Sequence, residues 1–414
     1  MAKRKKDDKS SWFYSPKVHL LLYELLLIAT PFLLLQNYLQ AAIGIFSEKK
    51  VEIFGISIPL TVLIAIIFLS GIIILLRKKI KPKHLFIWLI VIILIRIGQN
   101  STDYYFHHKF YELQHNWHYL AYGIFAYVMY RNLKHKNVPI EKKILITFVT
   151  ALGLSTFDEF IQVYISNRIF DICDIGKDAW GTVNGMIIVY FVIAADEMKN
   201  FKWKWNHPHL RDYLKNPKTL LSMEIIFTFI LLNISSLLTD KTYLFYSVLF
   251  SISAFLIVFF IIHFFRFKIA RIAIILFLGA AIIIQGFFFF KYRKENIVYN
   301  KYGLTVYKGI PIPFFDIMIY QNGSFRLVDK KHSFNKRDIS TISHYADDIL
   351  LIGSGTFGKG GYGFPEKKEV QFIYNEVKKK PLQVIILKTP EACRVYNRLK
   401  AKGYKVLFII HNTC

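Results

Sequence analysis

Acidic residues are scarce in this chain. Twenty-eight Asp and Glu stand against 54 Lys and Arg over 414 residues, a formal net charge of +26. Cysteine is scarcer, and Cys173, Cys393 and Cys414 are too few for a disulfide framework to hold the fold. What the chain has instead is apolar length. It is 54% apolar and 17% aromatic, with mean hydropathy +0.35 and long runs of Ile, Leu and Phe. About 20 such residues cross a bilayer. By that measure nine spans are predicted, centred near residues 29, 67, 92, 124, 152, 188, 228, 255 and 281. The first follows Lys3, Arg4, Lys5 and Lys6 with no small-residue cleavage site after it, so it reads as a retained anchor.

Where the positive charge lies sets the orientation. Basic residues crowd the loops after the second, fourth and sixth spans, at Arg77 to Lys79, Arg131 to Lys143 and Lys199 to Lys218. The loops between them are poor in Lys and Arg, so the basic loops and the N-terminus are expected in the cytoplasm. Short basic loops tethered to spans fit attraction to anionic lipid, and nucleic acid is not an expected partner.

The few acids are concentrated. Between Phe157 and Gly185 stand Asp158, Glu159, Gln162, Arg168, Asp171, Asp174 and Asp178, where spans meet water on the side opposite the basic loops. Asp171, Asp174 and Asp178 keep helical spacing, and Gly181 and Gly185 continue the same stripe. An acid or two at a helix start needs no explanation beyond the helix dipole. Several acids with an Arg at a bilayer edge point to a bound ligand or to catalysis. In that reading Glu159 or Asp174 is the general base, and Arg168 holds an anionic group. His107, His108, His115 and His118 fall on the same side, but their spacing matches no zinc motif, so neither metal nor cofactor is expected. Glu224 and Gln285, within the seventh and ninth spans, read as satisfied interhelical hydrogen-bonding residues.

Glu159-x-x-Gln162, then Arg168, Asp174, Gly181 and Gly185, stand at the spacing of the VanZ-like membrane proteins, which residues 80 to 200 resemble. Asp178 replaces the Asn usual there. His118 and Tyr122 match an upstream His and Tyr of the family pattern, whereas its Asp-Lys pair is missing. The resemblance implies work on the cell envelope. Its expected ligand is a membrane lipid or lipid-linked, amphiphilic component, held by Gln162, Arg168, Asp171, Asp178 and His118. It also implies reduced susceptibility to glycopeptides, teicoplanin above all.

Beyond Phe290 the pattern changes to short β-forming runs, with Asn322-Gly323 as a hairpin turn. Then come a buried strand at Ile349 to Ile352, a helix from Glu366 to Lys379, a strand at Val384 to Leu387, a helix from Thr389-Pro390 to about Lys402, and a last strand at Val406 to Ile410. That order predicts parallel βαβ units. Gly353-x-Gly355-x-x-Gly358 follows a strand, yet Lys359 to Pro365 forbids an immediate helix, so a dinucleotide fold is rejected. Thr389, Ala392, Cys393, Tyr396, Asn397 and Leu399 resemble a small α/β family that includes an archaeal domain and a mitochondrial complex I assembly factor. The resemblance implies a protein partner, and Cys393 and Asn397 are read as packing.

The expected fold is mainly α, a polytopic transmembrane helix bundle of about nine spans followed by a small soluble α/β domain. Its parts are a basic tail (1–16), a VanZ-like region with preceding spans (17–200), three further spans (201–290) and the α/β domain (291–414). The expected location is the plasma membrane. Counting spans puts the α/β domain outside the cytoplasm, although Lys291, Arg293 and Lys294 pull the other way. The alternative function is a non-enzymatic scaffold or assembly factor, with the acidic cluster as a clasp between helices.

Overall fold

The computed structural model describes residues 14–34, 45–46, 49–53, 55–60, 62–64, 66–67, 81–102, 105, 113–164, 170–238, 243–364, 369–375 and 378–413. The chain divides into two compact units, one within Met1–Asn100 and His108–Leu232, the other within Ser101–His107 and Asn233–Cys414.

The first unit is a helical bundle. Its elements are α1 (Pro16–Leu34), an antiparallel hairpin of β1 (Lys50–Ile53) and β2 (Ile56–Pro59), α2 (Pro82–Asn100), α3 (Leu113–Lys134), α4 (Ile140–Gln162) and α5 (Ile172–Ile188). A π-helical turn (Val189–Ile193) extends α5, and most of α6 (Pro217–Leu237) follows. Pro opens α1, α2 and α6, where a missing N–H costs nothing and the fixed φ is already helical. Arg131 and Lys134 close α3 against the negative end of its dipole.

Helix α5 is the hub. Val183, Met186, Ile187 and Tyr190 pack with Val91 of α2, Ala126 and Tyr130 of α3, Ile144 and Phe148 of α4, and Leu220 and Leu221 of α6. Glycine sets its distance from α3. A Cβ on Gly185 would lie 2.5 Å from the carbonyl oxygen of Gly123, and one on Gly181 would lie 2.8 Å from that of His118. Small residues here let two backbones touch, which is how helices pack where no hydrophobic drive separates protein from lipid.

Five described helices are long and apolar enough to cross a membrane: α2, α4, α6, α7 (Leu244–Phe264) and α8 (Lys268–Tyr292). The expectation of nine spans is therefore not reached. Helix α5 has 17 residues and carries charge at its start, and α3 begins with polar residues. The region around residue 67 lies largely outside the described residues. Helix α8 buries none of its residues, and Ile282 and Ile283 are more than 70% exposed, as suits a helix facing lipid.

Glu224 of α6 departs from its sequence reading. It is 5% exposed and neither carboxylate oxygen has a hydrogen-bond partner among the described residues. Gln285 is satisfied, though by the carbonyl oxygen of Gly309 in a β-turn (2.9 Å) rather than by another helix.

In the second unit, α7 and α8 precede a three-stranded antiparallel sheet of β3 (Ile297–Lys301), β4 (Leu304–Tyr307) and β5 (Ile310–Pro313). A six-stranded sheet follows, made of β6 (Asp316–Ile319), β7 (Phe325–Val328), β8 (Ile349–Gly353), β9 (Val370–Asn375), β10 (Lys380–Leu387) and β11 (Val406–Ile410) in the order β7-β6-β11-β8-β10-β9. Strand β8 runs parallel to both neighbours, and all five of its residues are buried, the continuous apolar run of a strand covered on both faces. Helix α9 (Lys336–Tyr345) covers one face through Ile342, and α10 (Thr389–Ala401) covers the other through Ala392, Cys393 and Tyr396. Burial pushes the Cys393 thiol up to about 12, as suits a packing residue. Asn397 does more than pack. Its side chain accepts from the backbone N–H of Ile297 (3.0 Å) and donates to that residue's carbonyl oxygen (2.9 Å), pinning β3 to α10.

The helix expected from Glu366 to Lys379 is a correction. Residues Val370–Asn375 form β9, whose side chains alternate between exposed and buried and whose backbone pairs antiparallel with β10. The residues that suggest a helix, Glu369, Lys378 and Lys379, belong to its edges and turn, where Lys379 takes φ +50°. One βαβ unit remains, β10–α10–β11, and the passage from β8 to β10 is a glycine-rich loop plus β9. Helix α9, absent from the sequence reading, carries a legible start: Asn335 accepts from the N–H of Asp338, which accepts from that of Asn335.

Candidate functional site

Three helix ends of the first unit supply the site. The last two turns of α4 present Ser155, Asp158, Glu159 and Gln162 at helical spacing. Helix α5 starts with Asp171 as its N-cap and carries Asp174, Lys177 and Asp178 in its first two turns. Helix α3 brings His118 and Tyr122. Tight glycine packing between α3 and α5 sets His118 against the start of α5.

One half of the cluster centres on Asp178, which is 3% exposed. Its Oδ1 lies 2.8 Å from His118 Nδ1, and its Oδ2 accepts from the Ser155 hydroxyl at 2.6 Å. His118 Nε2 faces Asp174 Oδ1 at 3.8 Å, and Lys177 Nζ donates to that same oxygen at 2.6 Å. His118 and Asp174 are the accessible rim, with side chains 25% and 21% exposed.

The other half is a clasp, closed but for Asp158 Oδ1, which is buried with no hydrogen-bond partner among the described residues. Glu159 Oε2 accepts from the backbone N–H of Asp171 (2.8 Å), and its Oε1 accepts from Gln162 Nε2 (3.0 Å). Gln162 also donates to Asp158 Oδ2 at 3.1 Å. Asp171 Oδ1 accepts from the N–H of Cys173 at 2.7 Å, an ordinary helix cap. Burial, and then the negative charge of Asp174, push the Asp171 carboxyl up to about 6.

The sequence-predicted residues are thus placed as follows. Glu159, Gln162, Asp171, Asp174, Asp178 and His118 lie on facing helix ends, whereas Arg168 lies outside the described residues. Gly181 and Gly185 stand at the α3–α5 contact. His107 and His108 also lie outside the described residues, as does the side chain of His115. Among the described residues no three His, Cys, Asp or Glu side chains are arranged to hold a metal ion. Sequence reasoning missed Lys177 and Ser155. Both were within reach of the helical rule, since Lys177 stands three residues after Asp174 and Ser155 four before Glu159.

Five carboxylates (Asp158, Glu159, Asp171, Asp174, Asp178) thus meet two cationic side chains among the described residues, Lys177 and, when protonated, His118. Chemically the rim offers acceptors. It suits a partner that brings hydrogen-bond donors or positive charge.

Several apolar helices and a polar cluster at their ends define a multi-pass membrane protein. Residues 58–194 match the family model described as VanZ/LLP1, and this segment is VanZ-like. A search among curated proteins finds no match. A solved structure titled MT938 is similar at 22% identity over 29% of this chain and 98% of its own, with a TM-score of 0.22, a score that carries no structural argument.

Proposed function

We propose that the VanZ-like segment binds the polar head of an amphiphilic or lipid-linked envelope molecule between His118, Asp174 and Asp178. The observation that carries this reading is the surplus, among the described residues, of carboxylates over cations at helix ends, with the side chains of His118 and Asp174 partly exposed. Such a rim favours a head group rich in donors, an amine or sugar hydroxyls. The basic loops at Arg131 to Lys143 and Lys199 to Lys218 support an outer-face location and a cytoplasmic N-terminus. For the α/β domain the proposed role is protein-partner binding.

The clasp supports a second, non-catalytic part of the reading. Glu159 is 2% exposed with both oxygens engaged, so it positions α5 rather than serving as a base. Asp174 and His118 are the groups a ligand meets. If chemistry occurs, the proton passes through that pair.

Separate substitutions test the division. Asp174→Asn should lower ligand recovery, or glycopeptide tolerance with teicoplanin as the probe, at normal protein abundance. Glu159→Ala should lower abundance itself. Normal abundance and undiminished ligand in both variants would contradict the assignment.

A further inference from the structure

We propose that the carboxyl ends of β8, β10 and β11 form a phosphate-binding site in the α/β domain, built from His411 Nε2, the glycine-rich loop at 354–360, Lys359 and Lys388. His411 follows β11 and is 1% exposed. Its Nδ1 lies 2.7 Å from Asp316 Oδ2, whereas its Nε2 is buried with no hydrogen-bond partner among the described residues. Buried polar atoms are nearly always partnered, so an orphan in a well-tied site is where a ligand atom belongs.

The site around that atom is rigidly held. Asp316 Oδ1 accepts from the N–H of Asn412 (2.8 Å) and from Lys330 Nζ (3.2 Å), which fixes the carboxylate that orients His411. Lys330 also donates to Thr413 at 2.7 Å. Thr389, at the start of α10, accepts from the N–H of Gly355 (2.8 Å) and donates to the carbonyl oxygen of His411 (2.8 Å), tying loop, helix and strand end together.

The orphan nitrogen faces the loop. A Cβ on Gly360 would come 2.9 Å from His411 Cδ2 and 3.4 Å from Nε2, so only a residue without a side chain fits against this edge of the imidazole, and the Phe334 ring packs against it with centroids 6.1 Å apart. Lys388 runs beside the same loop, its Cγ and Cε 3.6 and 3.7 Å from where a Gly358 Cβ would stand. Lys359 is exposed on it. In open α/β sheets, ligands settle outside the carboxyl ends of parallel strands. Two lysines donate to anionic oxygens, and His411 Nε2, whose ring proton sits on Nδ1 against Asp316, accepts from a P–OH, so together they select a monoprotonated phosphoryl group. No helix follows the loop directly, so this is not a dinucleotide site.

The phosphoryl group belongs either to a small soluble molecule or to a lipid head, and one experiment separates them. Full-length protein in detergent micelles is titrated with inorganic phosphate against chloride at matched ionic strength, and hydrogen exchange is followed across residues 353–364. Phosphate should slow exchange in that loop and leave β3 to β5 unchanged. The exposed pair Lys359→Ala, Lys388→Ala should weaken the apparent affinity about tenfold, the worth of one charge-assisted hydrogen bond. His411→Gln should do the same. A parallel series in phosphatidylglycerol nanodiscs gives the source, since slowing there but not with inorganic phosphate assigns a lipid head, and the reverse a soluble ligand. Absence of slowing in both series would overturn the proposal. So would slowing of equal strength in the lysine double variant.

Discussion

Each unit of this protein pairs a buried Asp with a His, and the two pairs are built to opposite effect. In the α/β domain, Asp316 is surrounded by donors: Lys330, His411 and the N–H of Asn412. Although burial works to raise its pKa, Lys330 and then His411 prevail and hold its carboxyl below the usual carboxylate range. In the VanZ-like segment, Asp178 and His118 sit among four more carboxylates, with Lys177 as the added cation. The domain pair is electrically closed and leaves one nitrogen to spare. Among the described residues the helical pair is in acidic surplus, with His118 and Asp174 partly exposed at its rim. Buried charge holds its place only when it is paired, which is why the pair in surplus is the one proposed as a ligand site.

The largest expected effect comes from breaking the closed pair. Lys330→Met strands a carboxylate that is 0% exposed and should destabilise the α/β domain by about 3–5 kcal/mol, read as limited proteolysis or faster exchange of β6 and β11. A loss below ~1 kcal/mol would mean that Asp316 does not depend on its cation.

Next comes the packing that makes the open pair. Gly185→Val forces a Cβ into the backbone of Gly123 and should cost about 1–3 kcal/mol by overpacking, seen as a lowered melting temperature in detergent. It should also loosen His118 from Asp178, whereas the same substitution at Gly153, where a Cβ meets nothing within 4 Å, should change neither.

How much of this was legible differs between the two pairs. The helical acids announced themselves because a period of 3.6 carries Asp171, Asp174 and Asp178 to one end of one helix. Of their cations, His118 was named from the sequence, whereas Lys177 was hidden inside the acidic run. In the domain, β8, β10, α10 and β11 were legible from an apolar run, Thr389-Pro390 and Gly403. The segment from Glu366 to Lys379 misled, because charged residues at the edges of β9 imitate a helix face while its pairing with β10 is long-range. Asp316 and His411 are 95 residues apart, and only the antiparallel pairing of β6 with β11 brings them together. No local pattern encodes such a meeting.

A smaller effect separates the pairs by pH. Asp171, raised to about 6 in the fold from a usual 3.8, binds protons more readily when folded. Its stabilising contribution is therefore fully present below 3.8 and lost as pH rises through about 6, so acidifying from pH 7 to 5 should strengthen the α4–α5 clasp. Asp316, lowered in the fold, contributes stability above 3.8 that is lost as pH falls. Hydrogen exchange should thus slow at the start of α5 between pH 7 and 5 and quicken in β6 and β11 below pH 4, after correction for intrinsic rates. Parallel responses in both regions would erase the distinction.

The smallest effect concerns a residue of neither pair. Glu224→Leu removes a buried carboxyl whose oxygens are unpartnered among the described residues, and should stabilise the helical unit by roughly 1 kcal/mol. Destabilisation instead would show that Glu224 has a partner in the membrane.

The most direct test of the acidic surplus as a ligand site is mass spectrometry of what co-purifies with the full-length protein, compared between wild type and Asp174→Asn. The comparison predicts an amphiphile with an amine- or hydroxyl-rich head on the wild-type protein, and its depletion, at equal protein recovery, from the variant. The same lipid profile on both proteins would contradict it.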